Sequence, residues 1–420
     1  MKKRKKFLVI IIIILIALGT FSFFVYKEHK EEVDRQLVLT KQKLLTKDIK
    51  SHFNDKVIVN KDTKLYKKID NEYEEIGVVY KDTKLLLTNK NNDSIDYNTK
   101  YFYIESIDLY ISYKDVVKYE EDITIDERYK KYLLFDLNIK TNDSVTLYNI
   151  DKTNKSYKLN YSLDLPVIIK DEDGVFVEYF NNLYFINNSD IASTYEKSNN
   201  QEEETNSIPV TCYHFIYFPG DTSCNEIICH SEEQIRSHFN YLTTNNYFTI
   251  NTTELRLFIE GKLRLPKNTI LVTIDDGARA EKFIPLLEEY KLNATLFLVS
   301  SWYPKDTFDS PYMEIASHTH DLHTGGKCPG GQGGWIKCLE HDALLEDFKK
   351  SRETLDNTEA FCYPFYEYNN YTISVLKEAG FKMAFAGGQK KATRGIDLFQ
   401  IPRITIHNTT TLNEYINYVS

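Results

Sequence analysis

The sequence predicts an α/β domain in the C-terminal half of the chain, an all-β region before it and one apolar helix at the N-terminus. After residue 208, apolar strand-like runs alternate with amphipathic helical runs, which is typical of a βα pattern. Residues 57–197 consist of short β-prone runs separated by Asn, Asp and Lys turns. Residues 7–25 carry no charge. The 420 residues allow roughly three domains.

The apolar N-terminal run is long enough to cross a membrane. As a helix, residues 7–25 measure about 28 Å, at about 1.5 Å per residue, which matches a bilayer core. The basic residues at positions 2–6 hold the N-terminus in the cytoplasm by the positive-inside rule. We therefore predict that residues 1–26 are a basic end and a membrane anchor, with the remainder extracellular. A cleaved signal peptide is the alternative.

Five segments are predicted after the anchor. Residues 27–56 are charged and weakly periodic, as expected of a helical stalk. Residues 57–120 and 121–197 are predicted to be two β modules, because residues 101–116 recur in pattern at 175–191. These modules resemble bacterial SH3-type barrels and are candidates for contact with the cell wall. The last two segments are a solvated linker, 198–207, and a catalytic domain, 208–420.

Charge and cysteine usage narrow the class of protein. The net charge of -9 argues against a nucleic-acid partner. All six cysteines lie between residues 212 and 362, where an extracellular location permits disulfides. Cys224 with Cys229, and Cys328 with Cys338, bracket short loops, although sequence alone does not fix the connectivity.

Two adjacent carboxylates mark the candidate catalytic site. A continuous apolar run, residues 270–274, predicts a strand covered on both faces, and it ends in Asp275, Asp276 and Gly277. Catalytic groups in α/β folds lie where such strands end. The pair fits a base beside a metal ligand, and a simple turn is the alternative interpretation.

A histidine cluster follows roughly forty residues later. His318, His320 and His323 are three of the ten histidines in the chain and fall within six positions. Two imidazoles and one carboxylate, with open positions, form a usual site for a hydrolytic divalent metal. Asp276 is the candidate carboxylate.

These residues resemble the polysaccharide deacetylases with a NodB-type domain (carbohydrate esterase family 4). Residues 273–277 look like its Thr-Phe-Asp-Asp-Gly motif, which implies that Asp275 is the catalytic base and Asp276 a metal ligand. The histidine motif matches at His318 and His323, with one residue more than usual between them. That spacing resembles the branch acting on poly-β-1,6-N-acetylglucosamine, and it leaves His320 as a competing ligand.

The resemblance implies further roles at the third motif. Residues 361–366 look like the segment that forms one wall of the groove, so the backbone amide of Tyr363 is expected to donate to the oxyanion. Cys362 stands where many members have an arginine that pairs with the base. Arg403 is the hypothetical replacement for that charge. Cys362 itself is expected to pack rather than to act as a nucleophile.

Two histidines compete for the role of general acid. His214 resembles an element near the active site of the biofilm branch, whereas His407 resembles the terminal histidine motif of the peptidoglycan and chitin branches. We favour His214, because the Ile-Pro-Arg-Ile segment just before His407 matches the branch that does not use a terminal histidine.

The predicted protein is a membrane-tethered, metal-dependent N-deacetylase of N-acetylglucosamine polymers, with an irregular, incomplete (β/α) barrel. Zinc is the expected ion, and cobalt, nickel and manganese accept the same ligands. Poly-N-acetylglucosamine, peptidoglycan and chitin-like substrates stay open. The alternative is a catalytically inactive, membrane-tethered glycan-binding protein.

Overall fold

The computed structural model describes residues 19–41, 43–44, 56–87, 95–96, 101–104, 108–121, 123, 127–180, 182–197, 203–221, 224 and 226–420. Helix α1 covers residues 19–41. Within this described part, no helix is both long and apolar enough to cross a membrane. Most of the predicted anchor, residues 7–18, and residues 45–55 of the predicted stalk lie outside the described residues. The membrane anchor therefore stays a prediction.

The described chain divides into two compact units. Unit 1 contains residues up to 126, 140–164 and 178–193, and unit 2 contains residues 127–139, 165–177 and 194–420. The strands before residue 196 are β1 Lys56–Val59, β2 Thr63–Ile69, β3 Glu72–Val79, β4 Lys84–Leu86, β5 Ile95–Asp96, β6 Tyr101–Ile104, β7 Leu109–Ser112, β8 Val116–Lys118, β9 Asn138–Thr141, β10 Val145–Tyr148, β11 Lys155–Leu159, β12 Asp164–Lys170, β13 Gly174–Tyr179, β14 Asn182–Asn187 and β15 Ile191–Tyr195.

Unit 1 is built on antiparallel strands. Strand β3 pairs with β2 on one side and with β11 on the other. Strands β7, β6 and β5 continue beyond β2, and β10 and β14 continue beyond β11. A separate small sheet places β1 between β4 and β8. The pairing of β3 with β11 joins strands of both predicted modules, and the SH3-like assignment stays a prediction.

The sequence repeat of unit 1 has a structural counterpart. A 3-10 turn follows β7 at Tyr113–Asp115, and another follows β14 at Asn188–Asp190. Each turn ends in an aspartate that accepts a hydrogen bond. Asp115 Oδ2 accepts from Thr63 Oγ1 at 2.6 Å, and Asp190 Oδ2 accepts from the Thr146 N–H at 3.0 Å. In both copies this carboxylate fixes the turn to a neighbouring strand.

Unit 2 alternates strands and helices, as the sequence predicts. Its later strands are β16 Ser207–Ile208, β17 Val210–Tyr213, β18 Phe215–Tyr217, β19 Cys229–Ser231, β20 Phe248–Thr249, β21 Thr269–Asp276, β22 Ala294–Leu298, β23 Met313–Ser317, β24 Ala360–Cys362, β25 Met383–Phe385, β26 Ala392–Thr393 and β27 Ile404–Thr405. Its helices are α2 Glu232–Thr244, α3 Thr252–Ile259, α4 Ile284–Tyr290, α5 His341–Thr354, α6 Asn370–Glu378 and α7 Leu412–Val419.

A curled parallel sheet forms the core of unit 2. Its strand order is β25-β24-β23-β22-β21-β17-β27, and β20 pairs with the start of β21. Phe385, at the end of β25, makes a parallel bridge with Ile401, shortly before β27. The segment 401–405 therefore contacts both edges of the sheet, which agrees with the expected incomplete (β/α) barrel. Every residue of β21 is buried, as its continuous apolar sequence predicts.

Proline divides one predicted helix. The apolar pattern predicts a helix over residues 281–292, but the structure has a 3-10 turn at Ala280–Phe283 followed by α4. Pro285 lies in the first turn of α4, where its missing N–H breaks no helical hydrogen bond. Phe283, Leu286 and Leu287 are buried as expected.

The carboxyl ends of the parallel strands meet at one edge of the sheet. His214 follows β17, Asp275 and Asp276 end β21, and His318 follows β23. Cys362 ends β24 at the same edge. Because barrel enzymes place their reactive groups at this edge, the topology gathers the predicted site residues.

Candidate active site

Three predicted ligands meet at the edge of the sheet. Asp276 Oδ1 lies 3.3 Å from His318 Nε2 and 3.2 Å from His323 Nε2. Ligand atoms about 2.0–2.2 Å from a tetrahedral ion are about 3.3–3.6 Å apart. The two separations from Asp276 Oδ1 therefore match a metal coordination shell, and all three atoms lie within 4.8 Å of one another. Asp276, His318 and His323 are called the metal group below.

The hydrogen bonding of this group also fits a metal. Asp276 Oδ1 is buried and has no hydrogen-bond partner among the described residues, and such an atom is costly unless a cation neutralises it. Burial raises the pKa of the Asp276 carboxyl, but the adjacent His318 and His323 rings lower it well below its usual range. The residue is therefore an anionic oxygen donor, as a metal site requires.

The tautomer of His318 is fixed by the backbone. Its Nδ1 lies 2.8 Å from the carbonyl oxygen of Cys362. Because a carbonyl only accepts, Nδ1 carries the proton and Nε2 presents its lone pair towards Asp276. Such support of the second ring nitrogen is usual for histidine ligands.

Left-handed backbone conformations aim the ligands. Asp276 has φ 75° and Thr319, next to His318, has φ 81°. A non-glycine residue in this region is uncommon and costs free energy, and such residues cluster at functional sites. Gly277 has φ 108°, and an added Cβ would lie 2.6 Å from Leu298 Cδ1. The chain therefore leaves the strand at Asp276, so that Asp275 and Asp276 serve one site.

Asp347 is a site residue that the sequence did not reveal. It lies on α5, where Oδ1 accepts the N–H of His320 at 2.9 Å and Oδ2 accepts that of Asp321 at 2.8 Å. Burial raises its pKa to about 6, against the opposing effect of these N–H groups. Asp347 thereby fixes the loop between His318 and His323. No spacing signal links it to that loop in sequence.

His320 does not join the metal group. Its Nδ1 lies 2.9 Å from Ser300 Oγ, and the metal-ligand groups found among the described residues do not include it. The loop between the histidines therefore places His320 against Ser300 and brings His323 to Asp276.

Asp275 is paired with Arg403. Arg403 donates from its two terminal nitrogens to Asp275 Oδ1 and Oδ2 at 2.7 and 2.8 Å, and both residues are buried. Burial raises the pKa of Asp275, but the charge and hydrogen bonds of Arg403 lower it to about 2. The structure thus places Arg403 at the Asp275 carboxylate, and its role as the replacement for an arginine at residue 362 stays a hypothesis.

Two thiols also lie beside the Asp275 carboxylate. Cys212 Sγ and Cys362 Sγ lie 3.5 and 3.6 Å from Asp275 Oδ2. Burial raises the pKa of the Cys362 thiol well above its usual value, so it stays protonated. Cys362 therefore packs at the base, as predicted, and its Sγ accepts a hydrogen bond from Arg403 at 2.9 Å.

The structure distinguishes the two candidate acids by position. His214 Nε2 lies 3.9 Å from Asp275 Oδ2. His407 makes backbone hydrogen bonds, with its N–H donating to Thr410 Oγ1 and its carbonyl accepting from Gln234. Among the described contacts, none joins the His407 ring to Asp275.

The predicted oxyanion donor is already engaged. The N–H of Tyr363 donates to the carbonyl of Phe385 at 3.1 Å, and the Tyr363 hydroxyl donates to the carbonyl of Phe399 at 3.0 Å. This geometry does not support an oxyanion contact from Tyr363, because its single backbone N–H is already hydrogen-bonded to Phe385.

Comparison with known proteins shows which proteins the domain is similar to. The family model for polysaccharide deacetylases matches residues 262–384. The poly-beta-1,6-N-acetyl-D-glucosamine N-deacetylase of Staphylococcus aureus strain N315 is 27% identical over 217 residues, which cover 46% of this chain and 72% of that protein. The protein of the same name from Staphylococcus epidermidis strain ATCC 35984 is 26% identical over 200 residues, or 42% and 68% of the two chains.

Solved structures align with about half of the chain. The de-N-acetylase from Aggregatibacter actinomycetemcomitans gives a TM-score of 0.45 at 24% identity, over 50% of this chain and 99% of that one. IcaB from Ammonifex degensii gives 0.44 at 19% identity, over 52% and 99%. The segment matched by the family model contains Asp275, Asp276, His318 and His323. The C-terminal domain is therefore similar to the polysaccharide deacetylases over residues 262–384, the segment that carries these four residues.

Proposed function

We propose that this chain is a metal-dependent N-deacetylase that releases acetate from N-acetylglucosamine units of an extracellular polysaccharide. The observation that carries the proposal is the grouping of Asp276, His318 and His323 beside the Asp275–Arg403 pair. A divalent cation held by these three ligands would polarise the acetamide carbonyl and lower the pKa of a bound water. Zinc is the expected ion, because the set has two imidazoles and one carboxylate.

Asp275 acts as the base in this proposal. Arg403 holds its carboxylate ionised and fixes its orientation. Oδ2 accepts from Arg403 and from the Cys212 and Cys362 thiols, whereas Oδ1 accepts one hydrogen bond from Arg403 and keeps a lone pair for a proton from water. Its low pKa keeps Asp275 ionised over the whole neutral range.

His214 acts as the general acid. Its ring lies beside Asp275 and is partly exposed, with 15% of the side chain accessible. It is not one of the three proposed ligands Asp276, His318 and His323, although it could also contribute to an ion site with Cys212 and Asp275. In this position it would donate a proton to the departing nitrogen, because an amine leaves an amide readily only when protonated. The products are acetate and a glucosamine unit.

Poly-β-1,6-N-acetylglucosamine is the proposed substrate. The staphylococcal relatives carry this polymer in their names, and the same branch was indicated by the spacing of His318 and His323. Peptidoglycan is the second substrate to be tested, since a membrane-anchored enzyme would work close to the wall.

We also propose that the domain works outside the cell, tethered by the N-terminal segment. Two disulfides, Cys224–Cys229 and Cys328–Cys338, support an oxidising compartment. The β modules before the domain remain candidates for contact with the cell wall.

The proposal is tested by acetate release from the full chain in detergent. The substrates are β-1,6-linked and β-1,4-linked N-acetylglucosamine oligomers and peptidoglycan, each with and without chelator. Asp275→Asn removes the base, and Asp342→Asn is the matched control, because Asp342 is a fully exposed aspartate on α5. Release that needs metal, is lost in Asp275→Asn and persists in Asp342→Asn supports the proposal. Bound metal without release from any substrate would instead favour an inactive glycan-binding protein.

A further inference from the structure

Two adjacent aromatic side chains are exposed beside the metal group. Trp302 is 45% exposed and Tyr303 is 36% exposed. The other exposed large apolar side chains described after residue 194 are scattered singly, at Tyr195, Ile227 and Leu412. Scattered exposed residues are ordinary, whereas an aromatic pair at the rim of a polar site marks a binding surface.

The segment that carries this pair is held to the ligand loop. The N–H of Ser300 donates to the carbonyl of Thr319 at 3.2 Å, and that of Ser301 donates to the carbonyl of His320 at 2.9 Å. The Ser301 hydroxyl also donates to Asp321 Oδ1 at 2.9 Å. The aromatic pair is therefore already ordered before any ligand arrives, which lowers the entropy cost of binding.

Both rings border residues of the metal group. The Trp302 ring centroid lies 5.3 Å from that of the ligand His323, with the planes at 68°. The Tyr303 ring covers Gly277, next to the ligand Asp276, since a Cβ added at Gly277 would lie 3.0 Å from Tyr303 Cδ2. The imidazole ring of His323 thus contacts Trp302 and also reaches Asp276, where the reacting acetamide is proposed to lie.

We propose that Trp302 and Tyr303 form a carbohydrate-stacking subsite for the sugar unit next to the one that is deacetylated. The inference rests on the proposed function, because the reacting acetamide must lie at the metal group. A pyranose ring presents C–H groups on its face and hydroxyls at its rim. Indole and phenol rings match this pattern, with an apolar face and a polar group at the edge.

Kinetics on the full chain in detergent test the subsite. The substrate is a β-1,6-linked N-acetylglucosamine pentamer. Trp302→Ala is expected to raise KM about tenfold with kcat unchanged, which is the signature of lost uniform binding. Trp302→Phe keeps an aromatic face and should recover most of the affinity. Leu412→Ala is the matched control, because Leu412 is 41% exposed on α7 and makes no part of the site.

Binding without turnover provides a second test. The chain contains two tryptophans, Trp302 and Trp335, so Trp302→Phe leaves one. With chelator present, the pentamer should change the tryptophan emission of the unmodified chain saturably, and the change should be absent in Trp302→Phe. In the kinetic experiment, which contains no chelator, the metal content of each variant is measured, because Trp302 also contacts His323.

The outcomes separate the subsite from the proposed function. Acetate release with an unchanged KM in Trp302→Ala would overturn the subsite and leave the deacetylase intact. If the KM of Trp302→Ala is raised but returns to normal when the protein is fully loaded with metal, the subsite is also overturned. Trp302 would then act only by supporting His323. A saturable emission change lost in Trp302→Phe, in a chain that releases no acetate, would uphold the subsite and reject the deacetylase.

Discussion

Replacement of Arg403 by methionine should destabilise the deacetylase domain strongly. Arg403 is fully buried and makes two hydrogen bonds to the buried Asp275. Removing one partner of a buried ion pair costs about 3–5 kcal/mol, because the other charge stays buried and unpaired. Replacing both partners by uncharged groups is often nearly neutral. The double variant Arg403→Met/Asp275→Asn should therefore be more stable than either single variant.

The pH dependence of the effect has a definite sign. Arg403 lowers the pKa of Asp275 to about 2 in the folded domain, against about 3.9 in an unfolded chain. A lowering of that size corresponds to roughly 3 kcal/mol of stability above pH about 4, and this contribution disappears as the pH falls through 2. The difference between the unmodified chain and Arg403→Met should narrow over that window.

Tryptophan emission during urea unfolding measures this effect in the right domain, because Trp302 and Trp335 both lie in unit 2. Chelator is included, so that bound metal adds nothing to the stability. Free energies of unfolding at pH 7, pH 4 and pH 3 for the four members of the cycle give the coupling energy above and inside this window. If the losses from the two single variants simply add in the double variant, the pair does not stabilise the domain and the reasoning fails.

Three further predictions concern the metal group and the acid. His323→Ala should abolish tight metal binding, measured by metal content after dialysis, whereas the exposed His341→Ala should bind normally. Asp347→Asn should weaken metal affinity about 10–100-fold in a chelator competition, because an amide group accepts only one of the two loop N–H groups. Activity at saturating metal should largely recover. An unchanged metal affinity would contradict the role of Asp347 in fixing the ligand loop. His214→Gln should lower kcat about 10²–10⁴-fold with metal content unchanged, and an equal loss in His407→Gln would contradict the assignment.

The sequence predicted the parts of the fold that local patterns determine. The continuous apolar run 270–274 became the buried strand β21, and the run 294–299 became β22. Boundaries that depend on one residue were less accurate, as at Pro285, which separates the 3-10 turn from α4. Strand pairing in unit 1 was not predictable, because the β3–β11 contact joins residues about 80 positions apart and depends on the whole sheet.

Site residues could be predicted where several reactive side chains lie close together in the sequence. Asp275 and Asp276 were found from their place at a strand end, and the histidine cluster from its density. Asp347 was missed because its only link to the site is a pair of hydrogen bonds to backbone N–H groups of a loop 26 positions earlier. Tyr363 was assigned by motif alone, and its N–H is bound to Phe385.

The curvature of the sheet explains how Arg403 can replace the arginine that the family resemblance implies at residue 362. Cys362 ends β24, whereas Arg403 precedes β27, and the two positions are 41 residues apart in sequence. The segment 401–405 bridges to Phe385 of β25 and pairs with β17, and this position brings Arg403 to Cys362 at the end of β24. The small Cys362 thiol leaves room there, and the Arg403 guanidinium, 2.9 Å from Cys362 Sγ, reaches both oxygens of Asp275. An arginine at residue 362 would bring a second buried cation to the same carboxylate. The two positions are therefore expected to be complementary: a productive Cys362→Arg variant would require loss of the charge at Arg403.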